Sequence, residues 1–405
     1  MTTPPSADSG RSPGALGGGP ATGATAPVAP PLGSPPEPAG AGAAPGGRRF
    51  RPRALVVALA VLLTGAVAGA GMFALEQSSV TWRPHVTRRA SDWRIAAPHG
   101  LVIHDAALSG RHLAWASGPY TVVFDLSTGK SKLLGIARHA SSDAPAAVSE
   151  FYAAWLEGAE SSGPSIWTYQ FSTSARRRLT DTPGVVSAPA LSGSTLVWAG
   201  RQSGATGGAK DGDVAVFARD LGTGAGRVVT KGPHVTGPVV ADWPRVGWGE
   251  NAAVTGAAGQ VSYFFAVKDV GSGQTYAVDL LAGVTSATLM NIDLSGTTLA
   301  WRLQTGGGSG EVLMRDLTGG TTQPVASGPG LSGGSIDGDR VVWAQPAGGG
   351  TSIMCRRLSG GAPFAVATVA AGTVTDVLVG GDTVAWIVVG GQNGFNGIET
   401  ARLVQ

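Results

Sequence analysis

One pattern of polar and apolar positions occurs seven times along this chain, and each copy ends in tryptophan. A small polar pair comes first, as in Ser192-Gly193, and a short run with alternating apolar positions follows it. This alternation predicts a strand rather than a helix. Successive copies lie 40, 43, 50, 53, 42 and 43 residues apart, and they end at Trp115, Trp155, Trp198, Trp248, Trp301, Trp343 and Trp386. A period of this length indicates one supersecondary unit that is repeated along the chain.

Each repeat contains four predicted strands. A strand before the small polar pair is the first, the tryptophan strand is the second, and a run such as DVAVFARDL, rich in β-branched and aromatic residues, is the third. A second turn, such as Ser127-Thr128-Gly129, leads to a short fourth strand such as SKLLG. No repeat shows the helical periodicity of a leucine-rich or ankyrin-type solenoid. The sequence therefore predicts an all-β fold, a seven-bladed β-propeller of four-stranded antiparallel blades over residues 91–405.

The two ends of the predicted propeller are incomplete in a complementary way. The seventh repeat ends at GIETARLVQ before a fourth strand, whereas SDWRIAAP (residues 91–98) precedes the first repeat without a blade of its own. We expect Trp93 to Ala97 to supply the missing strand of blade seven, because this closes the ring and removes two exposed sheet edges. The repeated tryptophans are expected to pack between neighbouring blades as core residues.

The first 90 residues differ in composition from the repeats. Residues 1–53 are rich in Pro, Gly and Ala and cannot bury enough apolar surface to fold, so they predict a disordered tail. Residues 54–75 are uncharged and directly follow four arginines, which predicts a transmembrane helix with the tail in the cytoplasm. With an uncleaved helix, residues 76–90 form an extracytoplasmic stalk of a single-pass cell-membrane protein. The alternative is a signal peptide cleaved near Ala66-Val67-Ala68.

The net charge of the chain comes from its N-terminal tail. Five of the 29 basic residues and two of the 26 acidic residues lie up to Arg53, which leaves 24 of each in the rest of the chain. A nucleic-acid partner requires a basic face, and the neutral total predicts none. Cys355 is the one cysteine, so the chain forms no internal disulfide. The strand that contains it, TSIMCRR, indicates a buried apolar role for this thiol.

The repeats resemble TolB-like propeller repeats of the broader WD40-like type. The resemblance rests on LSGRHLAWAS followed by TVVFDLSTGKSKLL, and on FSTSARRRLTDTPG, in which a Gly turn, an apolar strand, a strand ending in Asp-Leu and a Thr-Gly turn recur. It covers about residues 91–405 and implies a fold and a habit of binding macromolecules through one propeller face. TolB itself is soluble, with six blades and an added α/β domain, so the resemblance implies no site residue here.

Two places in the predicted propeller are candidates for function. The loops after the tryptophan strands are long and unequal, and all fall on one face, where binding is usually carried. Ten residues before the tryptophan, blade one has Asp105 and blade seven has Asp376. If this position faces the channel, the two carboxylates are neighbours across the closure and form a candidate site for a calcium ion. The alternative is that both are solvated channel residues without a ligand.

Signals for catalysis are weak. Residues 330–334 (GLSGG) match a nucleophile elbow, but the required strand–turn–helix context and a downstream histidine are absent from the sequence. The early histidines, such as His104 and His112, lack metal-ligand spacing. We therefore expect a non-catalytic extracytoplasmic binding or scaffolding propeller that recognises a protein or glycan of the cell envelope, without a cofactor and without a nucleic-acid partner. The alternatives are an envelope polysaccharide lyase or hydrolase with its site at the channel mouth, and a transmembrane sensor.

Overall fold

The computed structural model describes most of the repeat region. The described residues are 84–89, 92–98, 101–118, 120–136, 146–158, 164–179, 184–201, 214–252, 262–281 and 287–403. They belong to one compact unit, residues 79–405. No helix among them is long and apolar enough to cross a membrane. The predicted tail (residues 1–53) and the predicted transmembrane helix (residues 54–75) lie outside the described residues.

The described residues form twenty-nine strands and one short 3-10 helix. The first ten strands are β1 (His85–Arg89), β2 (Asp92–Ala96), β3 (Ile103–Ser109), β4 (His112–Ser117), β5 (Tyr120–Asp125), β6 (Lys130–Ile136), β7 (Ala147–Val148), β8 (Tyr152–Glu157), β9 (Ser165–Gln170) and β10 (Ala175–Arg178). The next ten are β11 (Ala190–Ser192), β12 (Thr195–Arg201), β13 (Val214–Asp220), β14 (Gly226–Gly232), β15 (Val235–Asp242), β16 (Arg245–Ala252), β17 (Ser262–Asp269), β18 (Thr275–Asp279), β19 (Ala287–Ser295) and β20 (Thr298–Thr305). The last are β21 (Ser309–Asp316), β22 (Gln323–Pro329), β23 (Ser332–Asp337), β24 (Arg340–Ala347), β25 (Gly350–Arg357), β26 (Phe364–Val369), β27 (Thr373–Gly380), β28 (Thr383–Gly391), the 3-10 helix (Gln392–Gly394) and β29 (Phe395–Arg402).

These strands make seven antiparallel sheets, the blades of a β-propeller. Blades one to six each contain four consecutive strands, from β3–β6 in blade one to β23–β26 in blade six. Blade seven is five-stranded, in the order β1-β2-β29-β28-β27. The first strand of each blade contacts the first strand of the next, and β27 contacts β3, so the innermost strands form a closed ring. The predicted seven-bladed, four-stranded propeller fold is confirmed.

The N-terminal segment closes the ring as the sequence predicts. In β2, Ile95 pairs with Ile398 of β29, and Arg94 pairs with Glu399. The indole nitrogen of Trp93 donates a hydrogen bond to the carbonyl oxygen of Leu126 in blade one (2.9 Å), which ties blade seven to its neighbour. The clasp therefore joins both ends of the propeller sequence in one sheet.

Blade seven extends one strand further than the sequence predicts. Strand β1 pairs along its whole length with β2, from His85 opposite Ala96 to Arg89 opposite Asp92. These residues lie within 76–90, which the sequence analysis assigned to a stalk, so the sheet begins earlier than predicted. The reason is that β1 contains a single apolar residue, Val86, which packs against the core cluster of blades seven and one, so HVTRR lacks the alternation that marks the inner strands.

The seven tryptophans form the core between the blades, as predicted. Their exposed fractions are all 5% or less. Apolar clusters join residues of adjacent blades, for example Trp386 of blade seven with Val342 of blade six, and Trp115 of blade one with Ile387 of blade seven. Several indole nitrogens donate to an acceptor two residues along the same strand, as Trp248 does to Glu250 (2.8 Å) and Trp343 to Gln345 (3.0 Å). The repeat unit is thus defined by inter-blade packing.

The turns after the innermost strands also join the blades. A polar residue at the end of the innermost strand, or directly after it, forms a hydrogen bond with the backbone of the corresponding turn in the next blade. These pairs are Ser149 with Gly193, Ser192 with Trp243, Asp242 with Gly296, Ser295 with Gly338, and Asp337 with Gly381. At the closure, blade seven has a glycine, Gly380, in place of this polar residue. A side chain would be crowded there, because an added Cβ would lie 3.1 Å from the Gly110 nitrogen. Polar residues at this position of the sequence pattern therefore link five successive pairs of blades.

Candidate functional site

A central channel of about 900 Å³ runs between the innermost strands of all seven blades. Most of the side chains that line it are small or apolar. Five aspartates also line it: Asp105, Asp242, Asp293, Asp337 and Asp376. No lysine, arginine or histidine is among its described lining residues. The channel therefore favours cationic or neutral groups over anionic ones.

The structure places both sequence-predicted acids in the channel wall. Asp105 and Asp376 each follow a β-bulge in the innermost strand, between Ile103 and Asp105 in β3 and between Val374 and Asp376 in β27. A bulge re-aims the residue beside it. The same repeat position lines the channel in other blades, as at Ala188. In the fourth repeat, which the sequence could not align, this position is Pro238.

Asp105 and Asp376 influence each other across the closure. Burial raises the pKa of Asp376 to about 7, and the nearby negative charge of Asp105 adds to the shift. Asp376 Oδ1 also accepts a hydrogen bond from the Val377 amide (2.8 Å), which favours the ionised form and limits this rise. Near neutral pH, the Asp376 carboxyl is therefore protonated in part of the molecules and ionised in the rest.

Asp293 is a channel residue that the sequence analysis missed. Its Oδ2 accepts hydrogen bonds from the Ser335 hydroxyl (2.8 Å) and the Ile336 amide (3.0 Å) of the next blade. Burial raises its pKa to about 6 although these bonds oppose the rise. An alignment of the repeats could have found it. Asp293 lies eight residues before the tryptophan of its repeat, and three other blades have alanine at that position: Ala107, Ala147 and Ala190.

Arg302 is a second functional candidate that the sequence analysis missed. It directly follows Trp301, where all six other repeats have an uncharged residue. The side chain is 8% exposed, and its Nη1 donates a hydrogen bond to the Leu331 carbonyl (2.9 Å). Burial lowers the pKa of this guanidinium, and the charge of Asp376 opposes that shift. Arg302 therefore places a buried positive charge behind the acidic channel wall.

The predicted calcium site at Asp105 and Asp376 stays a prediction. Calcium takes six to eight oxygen ligands, so two carboxylates alone do not complete a site. Within the described part of the chain, no group of three or more histidine, cysteine, aspartate or glutamate side chains is placed to hold a metal ion. What the structure does show is that the charges of Asp105 and of the buried Arg302 guanidinium both act on the Asp376 carboxyl, with opposite effects on its pKa.

The weaker catalytic signals have structural roles. Ser332, the central residue of the elbow-like GLSGG run, is buried in strand β23 and donates its hydroxyl to the Val374 carbonyl of the next blade (2.7 Å). His112 is buried and stacks on Phe171 at 3.8 Å, and burial lowers its pKa. Burial also raises the pKa of the Cys355 thiol, which fits its predicted apolar role. The long loops at 159–163, 202–213 and 253–261 lie outside the described residues.

Comparisons with known proteins support the fold. No family model and no curated protein matches the chain. The β-propeller domain of the Trilobed protease from Pyrococcus furiosus is similar, at 10% identity and a TM-score of 0.53, over 74% of this chain and 95% of that one. An oligogalacturonate lyase in complex with manganese matches at 11% identity and a TM-score of 0.50, over 80% and 96% of the chains. TolB from Acinetobacter baumannii matches at 16% identity and a TM-score of 0.38, over 64% and 61%. At such identities, the likeness concerns the fold alone.

Proposed function

We propose that this protein is a non-catalytic binding or scaffolding propeller of the cell envelope that recognises a protein or glycan. The observation that supports this proposal is how the polar side chains of the inner strands are used. Asp293, Ser332 and Ser335 all make hydrogen bonds that join one blade to the next. Groups held in this way stabilise a rigid ring, and a rigid ring is a scaffold on which loops and outer strands present binding residues.

The cellular location is part of the same proposal. Residues 54–75 anchor the chain in the membrane, the tail of residues 1–53 is cytoplasmic, and the propeller is extracytoplasmic. This rests on the uncharged run and the arginines before it. An extracytoplasmic propeller meets envelope proteins and glycans directly, which is why these classes of partner are proposed.

A second candidate function is hydrolysis of a glycan at the channel mouth. The observation that favours it is that the carboxyl groups of Asp105 and Asp376 both line the channel and that the pKa of Asp376 is raised to about 7. A carboxyl with a raised pKa near a second carboxyl is the arrangement of acid–base glycan hydrolysis. The acidic channel repels polyanions, so a neutral glycan is the class of substrate that fits this alternative.

Incubation with purified envelope polysaccharide distinguishes the two functions. The full chain in non-ionic detergent is mixed with the glycan, and both retention and glycan chain length are measured by size exclusion. Binding without any shortening supports the proposed function. Shortening that is lost in Asp376→Asn and kept in the control Glu311→Gln contradicts it and supports glycan cleavage at the channel mouth. Glu311 is a suitable control because it lies on β21, away from the channel lining.

A further inference from the structure

The outermost strands of four adjacent blades carry a concentration of basic side chains. In blade seven, β1 has Arg88, and in blade one, β6 has Lys130 and Lys132. In blade two, β10 reads Ala-Arg-Arg-Arg and is exposed at every position, Ala175–Arg178. The side chains named here are all exposed. Blades seven, one and two are neighbours in the ring, so these strands follow one another around its rim.

The fourth of these strands belongs to blade three. Strand β14 has Arg227 and Lys231, and both side chains are exposed. None of the strands β1, β6, β10 and β14 contains an acidic residue. We call the exposed basic side chains of these four strands the basic arc.

The other three blades differ. The outermost strands β18, β22 and β26, of blades four to six, contain no lysine or arginine, and β18 contains Asp279. The repeat region is neutral in total, and for that reason the sequence analysis expected no basic face. The structure corrects that expectation, because it concentrates the positive charge of the rim on one side of the ring.

Aromatic side chains support the cations of the basic arc. Lys132 Nζ donates to the Tyr169 hydroxyl (2.7 Å) and thereby spans blades one and two. The guanidinium of Arg176 lies 4.1 Å from the ring centre of Trp167, and Arg227 lies 5.5 Å from that of Trp243. Cations held over aromatic rings lose less freedom on binding an anion.

Glu157 partly neutralises this surface. Glu157 Oε2 lies 2.5 Å from Nη2 of Arg176, so Arg176 is already paired. Arg177, Lys130 and Lys231 are exposed, and they leave a positive charge on each of three successive blades. A partner therefore meets separated charges along the rim rather than one pocket.

The curvature of the ring indicates which partner fits. Blades seven, one, two and three span three of the seven angular steps around the closed ring. A flat membrane that touches the outer strand of one blade recedes from its neighbours, whereas a flexible chain follows the curve. We propose that the basic arc binds a linear anionic glycan that carries carboxylate, sulfate or phosphate groups along its length. This inference rests on the proposed binding function and names its partner class.

Binding to dextran sulfate, compared with uncharged dextran of the same length, tests the inference. The full chain in non-ionic detergent is expected to bind dextran sulfate and not dextran, with an affinity that falls as salt rises. The double variant Arg177→Glu/Lys231→Glu is expected to bind dextran sulfate about tenfold more weakly. The matched control Arg357→Glu/Arg402→Glu changes the net charge equally at exposed positions outside the arc, and it should bind as the parent does.

The outcomes separate the arc from the proposed function. Equal losses in the two double variants, or no binding of dextran sulfate, overturn the arc and leave binding through another surface intact. The choice of a glycan is overturned if the parent binds DNA or anionic lipid vesicles more tightly than dextran sulfate and the arc variant loses that binding. If the glutamate variant unfolds, Arg177→Gln/Lys231→Gln replaces it, with a smaller loss of affinity expected; an unchanged affinity again overturns the arc.

Discussion

At the scale of single residues, each tryptophan of the repeat fills a space between two blades. Trp343 is 1% exposed and packs among Ala300, Val341 and Ile336. A smaller side chain at this position would leave a cavity, because the strands of the two neighbouring blades limit how closely the blades can approach each other. The residue that makes the repeat visible in the sequence is therefore also a large, buried residue of the core between the blades.

Trp343→Ala is expected to lower the free energy of unfolding by about 3–5 kcal/mol, because it leaves a large cavity between blades. Chemical denaturation with fluorescence or circular dichroism measures the change. Trp243→Ala is the control, since Trp243 is 37% exposed, and its loss should cost no more than about 1 kcal/mol. Equal effects of the two substitutions would remove the core role assigned to the repeated tryptophans.

The stability of the protein is expected to depend on the ionisation of Asp376. Its pKa of about 7 in the folded state lies above the ordinary value of 3.8, so the folded protein binds the proton more tightly than the unfolded chain. The stabilisation from this proton is complete below the unfolded pKa, and it is lost as pH rises through about 7. Asp376→Asn cannot ionise, so the loss should disappear.

The measurement is the melting temperature of Asp376→Asn and the parent at several values between about pH 5 and about pH 8. As pH rises, the melting temperature of the variant should increase relative to that of the parent. The corresponding difference in the free energy of unfolding is about 1–3 kcal/mol at the highest pH. Glu311→Gln serves as the control and should follow the parent. Parallel curves for Asp376→Asn and the parent would show that the carboxyl is solvated and ionises normally.

At the scale of elements, the turns explain why the repeat could be found without a structure. At the end of β13, the third strand of blade three, Asp220 accepts hydrogen bonds at Oδ1 from the amide and hydroxyl of Thr223. The Thr223 amide in particular lowers the pKa of this carboxyl. The corresponding Asp316 accepts from Thr318 in the same manner. The Asp-Leu and Thr-Gly pattern is thus local chemistry that a turn requires, and local chemistry is visible in sequence.

Other elements could not be predicted because their environment decides them. Strand β1 contains a single apolar residue, Val86, and forms a hairpin with β2, so its own sequence lacks the alternation that marks an inner strand. The bulges that turn Asp105 and Asp376 into the channel were not predicted either, although the position itself was. Asp293 and Arg302 are single departures from the repeat, and only their burial shows that they matter.

At the scale of the whole molecule, closure determines where charge lies. Only in a closed ring do blades seven, one, two and three stand in sequence, so that their outer strands form the basic arc. Closure likewise brings Asp105 of blade one beside Asp376 of blade seven. Both the acidic channel and the basic arc therefore depend on the pairing of β2 with β29.

A designed disulfide between β2 and β29 tests this closure most directly. Arg94 and Glu399 are register partners, and Nε of Arg94 lies 3.1 Å from Oε1 of Glu399. Since the native Cys355 is buried, Arg94→Cys/Glu399→Cys should oxidise to a single cross-link between the two ends of the propeller, detected by a gel shift that reductant reverses. The control Arg94→Cys/Arg357→Cys, with its second thiol on blade six, should stay reduced. Two unlinked thiols in the first variant, or cross-linking in both, would contradict a ring closed by its N-terminal strand.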